Sequence, residues 1–79
     1  MLIEYKPDFI KKISKIKSDA EKERVKKKIE KIVENPAIGK PMRYTRKNTR
    51  EVYVSPYRLA YYYNKNKIVF LEIYHKDKQ

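Results

Sequence analysis

The apolar residues change their spacing once along the chain, and that change limits the fold more than any other feature. Up to Val33 they recur every three or four residues, as one face of a helix requires. From Arg50 onward they alternate with polar residues, as a half-covered strand requires. The two regimes meet near Asn35-Pro36, where the proline disfavours helical backbone in the residue before it.

In the first regime, Pro7-Asp8 supplies a break and an N-cap for a helix over 9-FIKKISKIK-17, with Phe9, Ile10, Ile13 and Ile16 on one stripe. Ser18-Asp19 offers a second cap, and Val25, Ile29, Ile32 and Val33 keep amphipathic spacing until Asn35-Pro36. Two helices joined by a tight turn form an antiparallel hairpin whose apolar stripes must cover something. Residues 2-LIEYK-6 ahead of them are a short strand candidate.

The second regime supplies the covered partner. Segments 50-REVYV-54, 58-RLAYYY-63 and 67-KIVFLEIY-74 read as strands, the last two joined through Asn64-Lys65-Asn66, whose residues suit left-handed turn positions. The expected fold is α+β, in the order β-α-α-β-β-β, with the helical hairpin packed on one face of an antiparallel sheet. With 79 residues, one glycine and no linker, the whole chain, 1–79, is expected to be a single domain.

Alternation assigns faces. Val52, Val54, Leu59, Tyr61, Tyr63, Val69, Leu71 and Ile73 are expected beneath the helices. Glu51, Tyr53, Arg58, Ala60, Tyr62, Phe70, Glu72 and Tyr74 are expected on the uncovered face. Arg58 thereby becomes a permanent charge on an open, aromatic sheet surface. Its planar fork fits a phosphate or a carboxylate; the alternative is an ion pair with Glu51 or Glu72 across neighbouring strands.

Charge points to the partner class. Twenty-one Lys and Arg against ten Asp and Glu leave a net charge of +11, which favours polyanions such as RNA, DNA or an acidic protein, or else marks a solvated lysine-rich surface. The segment 36-PAIGKPMRYTRKNT-49 carries Lys40, Arg43, Arg46 and Lys47, with Arg50 just beyond it and Tyr44 interleaved. Cations broken by an aromatic ring suit single-stranded nucleic acid, and an ordinary solvated loop is the alternative. His75, beside Lys76, is the one histidine able to exchange a proton near neutrality. With no cysteine and a single histidine, no metal centre and no cofactor are expected. The absence of a long apolar run and of a basic-then-apolar leader leads to the expectation of a cytoplasmic protein with no membrane contact.

The motif 56-PYRLAYYY-63, the ending 67-KIVFLEIYHKDK-78, the helical hairpin closing on 34-ENP-36 and the segment 39-GKPMR-43 resemble the RelE/ParE superfamily of toxins from type II toxin–antitoxin systems, and more the RelE branch than the gyrase-directed ParE branch. The resemblance implies a ribosome-dependent endoribonuclease in which the 2′-hydroxyl of messenger RNA attacks the adjacent phosphate. Arg58 matches the phosphate-stabilising arginine, and His75 or Lys76 the C-terminal acid/base position, with His75 preferred. Glu51 and Tyr53 stand where the best-known RelE type carries lysines; other members use a glutamate as base, which would make Glu51 the base and His75 the acid. The resemblance also implies an acidic, helical RelB-like antitoxin held in a hetero-oligomer, with the ribosome and messenger RNA as targets. The alternative is a non-enzymatic protein: a ParE-like gyrase inhibitor, or a member that mainly binds its antitoxin.

Overall fold

The computed structural model describes residues 1–42 and 47–77. The chain runs through β1 (Leu2–Tyr5), α1 (Pro7–Ser14), α2 (Asp19–Glu34), a 3₁₀ turn (Pro36–Ile38), β2 (Lys40–Pro41), β3 (Thr49–Val54), β4 (Tyr57–Asn64) and β5 (Lys67–His75). The α+β expectation holds. Proline at its start gives α1 the backbone angle of a first helical turn, and Asp8 lies in that turn rather than at the cap. Ser18 caps α2 as its side chain accepts from the Glu21 amide at 3.2 Å, and Asn35 ends the helix before Pro36.

The strands form one sheet in the order β1-β5-β4-β3-β2. From β3 to β5 the pairing is antiparallel as expected; β2, inside the segment expected as a loop, adds a short antiparallel edge strand, and β1 joins β5 in parallel and makes the sheet mixed. Strand direction cannot be read from a four-residue segment whose partner is distant in sequence. The β4–β5 turn forms through the Asn64 side chain, whose Oδ1 accepts from the Asn66 amide at 3.0 Å. It needs no left-handed residue there; among the described residues only Asn48 has positive φ.

The core lies between the helices and one face of the sheet. Phe9, Ile16, Val25 and Ile32 from the helices meet Val54, Leu59, Tyr61, Ile68, Phe70 and Ile73. Ile10, expected on the α1 stripe, is exposed, because the arc that faces the sheet is already filled by Phe9, Ile13 and Ile16. The larger correction concerns β5. Ala60 pairs with Glu72 while Tyr61 pairs with Phe70, so Leu71 is an extra residue in the ladder. The phase reverses there: Ile68 and Phe70 enter the core with Ile73, and Val69 and Leu71, expected inside, fall on the other side.

Two tyrosines of the 57–61 stretch tie the layers together. Tyr57 donates to Glu21 Oε1 on α2 at 2.7 Å. Tyr61, fully buried, donates to the Pro36 carbonyl at 2.6 Å and accepts from the Gly39 amide at 2.9 Å. The single glycine is required by this approach, since a Cβ on it would stand 2.6 Å from Tyr61 Oη and 2.9 Å from Arg50 Cβ. Gly39→Ala is therefore expected to lower the unfolding free energy by about 1 to 3 kcal/mol, read from the urea midpoint. An unchanged midpoint would mean that this segment lifts off Tyr61 at no cost.

Candidate functional site

The face of the sheet away from the helices carries a compact polar cluster. Tyr53 of β3 lies directly opposite Arg58 of β4, which lies opposite Tyr74 of β5, so strand pairing alone puts all three on this face. Glu51, two residues before Tyr53, joins them. Arg58 Nη1 donates to Glu51 Oε1 at 2.9 Å, and Tyr74 Oη donates to Glu51 Oε2 at 2.6 Å. The Arg58 and Glu51 side chains are 31% and 22% exposed, so water screens this pair less than it would a surface one. Arg58 Nε is buried with no partner among the described residues. The guanidinium is thus held from one end with a further donor unsatisfied.

Cations border the cluster. Lys76 Nζ lies over the Tyr53 ring, 5.4 Å from its centroid. Lys40 of β2 is directly opposite Glu51, hence on the same face, and is exposed. Burial and the bond to Glu51 push the Tyr74 phenol up to about 12. It therefore stays a hydrogen-bond donor at all physiological pH.

Of the residues singled out from the sequence, Arg58, Glu51, Tyr53, Lys76 and Lys40 come together. His75 does not stand beside Arg58. It pairs with Tyr57, one step out of phase with Arg58 and Tyr74, and its ring meets the Tyr57 ring edge-on at 5.8 Å on the helix-covered side. Strand alternation forces this, because neighbours in β5 point to opposite faces. Arg50 also points to the covered side, where Nη1 donates to the carbonyls of Ala37 at 3.1 Å and Gly39 at 2.7 Å. Lys47 is exposed in the turn before β3, and Arg43 and Arg46 lie outside the described residues. Glu72 pairs with Lys12 of α1 at 3.7 Å rather than with Arg58. Tyr74 was legible as a residue of the open face, but its bond to Glu51 had no signal in the sequence.

No helix is long and apolar enough to cross a membrane, and no group of potential metal-ligating side chains occurs among the described residues. The small α+β fold carries an arginine-centred open sheet face, and comparison with known proteins identifies the family. A family model described as "ParE toxin of type II toxin-antitoxin system, parDE" matches residues 3–79. The chain belongs to this family, within the RelE/ParE superfamily. Its fold is similar to that of the isolated E. coli RelE toxin, with TM-score 0.81, 17% identity, and 99% of this chain and 86% of that chain covered. It is also similar to a chain of the intact E. coli RelBE toxin–antitoxin complex (TM-score 0.77, 18% identity, 91% and 92% covered). YafQ from E. coli strain BL21(DE3) is a further match (TM-score 0.72, 24% identity, 95% and 92% covered). A search of curated proteins finds no match for the sequence.

The raised Tyr74 value has a measurable consequence. Below about pH 10 the phenol is protonated whether the chain is folded or not, and its contribution to stability is fully present. Between 10.0 and about 12 the unfolded chain releases the proton while the folded one keeps it, so stability falls as pH rises. Tyr57, raised by its bond to Glu21, and Tyr61, raised by burial, act in the same direction and remain in a Tyr74 variant. Tyr74→Phe is therefore expected to show a shallower alkaline loss of stability than the parent in urea unfolding across this window. Identical slopes would mean that Tyr74 is not held by Glu51.

Proposed function

We propose that this toxin cuts messenger RNA on the ribosome, with the open sheet face gripping the scissile phosphodiester. The observation that carries the reading is Arg58, a guanidinium fixed on the open sheet face with an unpartnered buried Nε. The planar guanidinium fork can take up phosphate oxygens bidentately.

The chemistry needs a base for the 2′-hydroxyl, cations for the charge on phosphorus, and an acid for the leaving oxygen. An incoming phosphate competes with Glu51 for the Arg58 fork and frees the carboxylate. Glu51 then takes the 2′-hydroxyl proton as that oxygen bonds to phosphorus. The bond from phosphorus to the 5′-oxygen breaks, and the leaving oxygen takes a proton from the Lys76 ammonium, leaving a 2′,3′-cyclic phosphate and a 5′-hydroxyl. Lys40 and Arg58 offset the added negative charge. Tyr53 offers a flat surface to a base beside the cut. His75, on the covered side, supports Tyr57 instead of transferring protons.

The net charge of +11 and the exposed Met1, Leu2, Tyr5 and Ile10 fit an acidic, partly apolar antitoxin, as in the RelBE complex, which is a toxin–antitoxin assembly. Work on the ribosome places the protein in the cytoplasm. A second reading, inhibition of gyrase without cleavage, is favoured by the ParE description of the family and by Glu51 occupying the arginine.

Mapping messenger RNA ends in a translating extract separates these readings. The parent is expected to cut, and Arg58→Ala and Lys76→Ala to lower the rate by about 10² to 10⁴ while His75→Ala stays near the parent. Loss of cutting in His75→Ala with Lys76→Ala unaffected would overturn the assignment of the acid. Intact messenger RNA together with blocked supercoiling by gyrase would replace the nuclease reading with the second one.

A further inference from the structure

The open face continues past Arg58 into a hollow that the proposed chemistry does not use. Its cavity of about 280 Å³ is lined by Thr49, Tyr62, Asn64, Val69 and Leu71 together with Lys6 and the Lys67–Glu4 ion pair, 3.2 Å long. Resting on the nuclease reading, we propose that this hollow is a base-recognition subsite. It takes one unpaired nucleobase of the RNA strand whose phosphate is gripped at Arg58.

The lining suits a flat heterocycle with an apolar face and acceptor-rich edges. Val69 and Leu71 offer aliphatic surface and Tyr62 an aromatic ring, which together favour a planar ligand. The polar groups are mainly donors with capacity to spare. Asn64 Nδ2 gives one proton to Tyr62 Oη at 2.7 Å and keeps a second. Tyr62 accepts there and retains its own hydroxyl proton. Thr49 Oγ1 is buried and has no hydrogen-bond partner among the described residues. Unpaired bases expose ring nitrogens and carbonyl oxygens that such donors can read.

The irregularity in β5 builds this hollow. Had the strand kept the phase of Ile73, Val69 and Leu71 would point beneath the helices and the floor would be missing. The extra residue at position 71 turns both onto the open side while Phe70 and Ile68 fill the core. A ladder irregularity that removes two aliphatic residues from a small core and sets them beside polar donors implies a use for that surface.

Position links the hollow to the cutting site. Tyr62 lies four residues beyond Arg58 on β4, about 13 Å along the strand, on the same face. Between them on that face stands Ala60, buried between its cross-strand neighbours Glu51 and Glu72, so the RNA strand passes over a short side chain flanked by two carboxylates. A strand lying along β4 can place a phosphate on Arg58 and a neighbouring base in the hollow.

The test titrates isotope-labelled protein with each of the four ribonucleoside 5′-monophosphates and with inorganic phosphate, following backbone amide resonances. Shifts at Thr49, Tyr62, Asn64 and Val69 are expected with nucleotides and not with phosphate, and they should differ among the four bases. Tyr62→Ala should weaken the preferred nucleotide about tenfold or more, whereas Arg58→Ala should leave the base-dependent shifts in place. Leu71→Ala, on the pocket floor, gives the same readout if Tyr62→Ala loses its dispersed spectrum. Shifts confined to the surroundings of Arg58, or identical for all bases and phosphate, overturn the subsite. Absence of base-dependent shifts in a protein that still cuts messenger RNA rejects the subsite and leaves the function standing. Base-selective shifts in a protein that does not cut do the reverse.

Discussion

Two short helices can cover only one face of a five-stranded sheet, and the remaining architecture follows from that constraint. Backbone pairing fixes β3, β4 and β5 side by side, so every second residue must leave the core. Leu59 and Tyr61 go beneath the helices, and Arg58 has no choice but to stand on the bare side with Glu51 and Tyr74. The same pairing sends His75 to the covered side with Tyr57. The open polar face is thus a geometric remainder of core formation.

The arginine and its carboxylate show how a resting site can be stable and still available. Leaving a half-buried guanidinium unpaired would be costly, and Glu51 offsets that cost at 2.9 Å. Tyr74 holds the other carboxylate oxygen, so Glu51 cannot swing freely toward Lys40 or Lys76. A phosphate offers the fork two acceptors where the carboxylate supplies one to Nη1, and Nε adds a donor that the resting pair leaves unused. In the proposed function, replacement of the carboxylate by phosphate would turn a structural ion pair into a reactive arrangement without rebuilding the sheet.

The helices, their stop at Pro36, three of the strands and the face of Arg58 were legible because each rests on local spacing. Partners in distant pairing were not. β1 joins β5 in parallel, a decision made by the helical crossover and invisible in 2-LIEYK-6. The phase reversal at Leu71 is an event of one residue inside an unbroken apolar run, where Val69, Phe70 and Leu71 are equally suited to either side. The same run leaves the hollow beside Tyr62 without a signal in the sequence. The register of β5 sets the His75 ring against Tyr57 rather than beside Arg58, a placement that side-chain chemistry alone does not reveal, whereas Lys76, just past the end of β5, reaches over Tyr53. Arg50 looked like part of a cationic patch and serves as a clamp on the 3₁₀ turn through two carbonyls.

In the proposed function, Arg58 on the bare sheet face receives a phosphodiester. The side-chain Nε–Hε resonance of Arg58, followed while a dinucleotide lacking the attacking 2′-hydroxyl is added, reports on it directly. A saturable shift of that resonance, accompanied by movement of the Glu51 and Tyr74 signals and none at Tyr57, is the predicted result. An Arg58 resonance that stays fixed while the dinucleotide binds elsewhere would contradict the account.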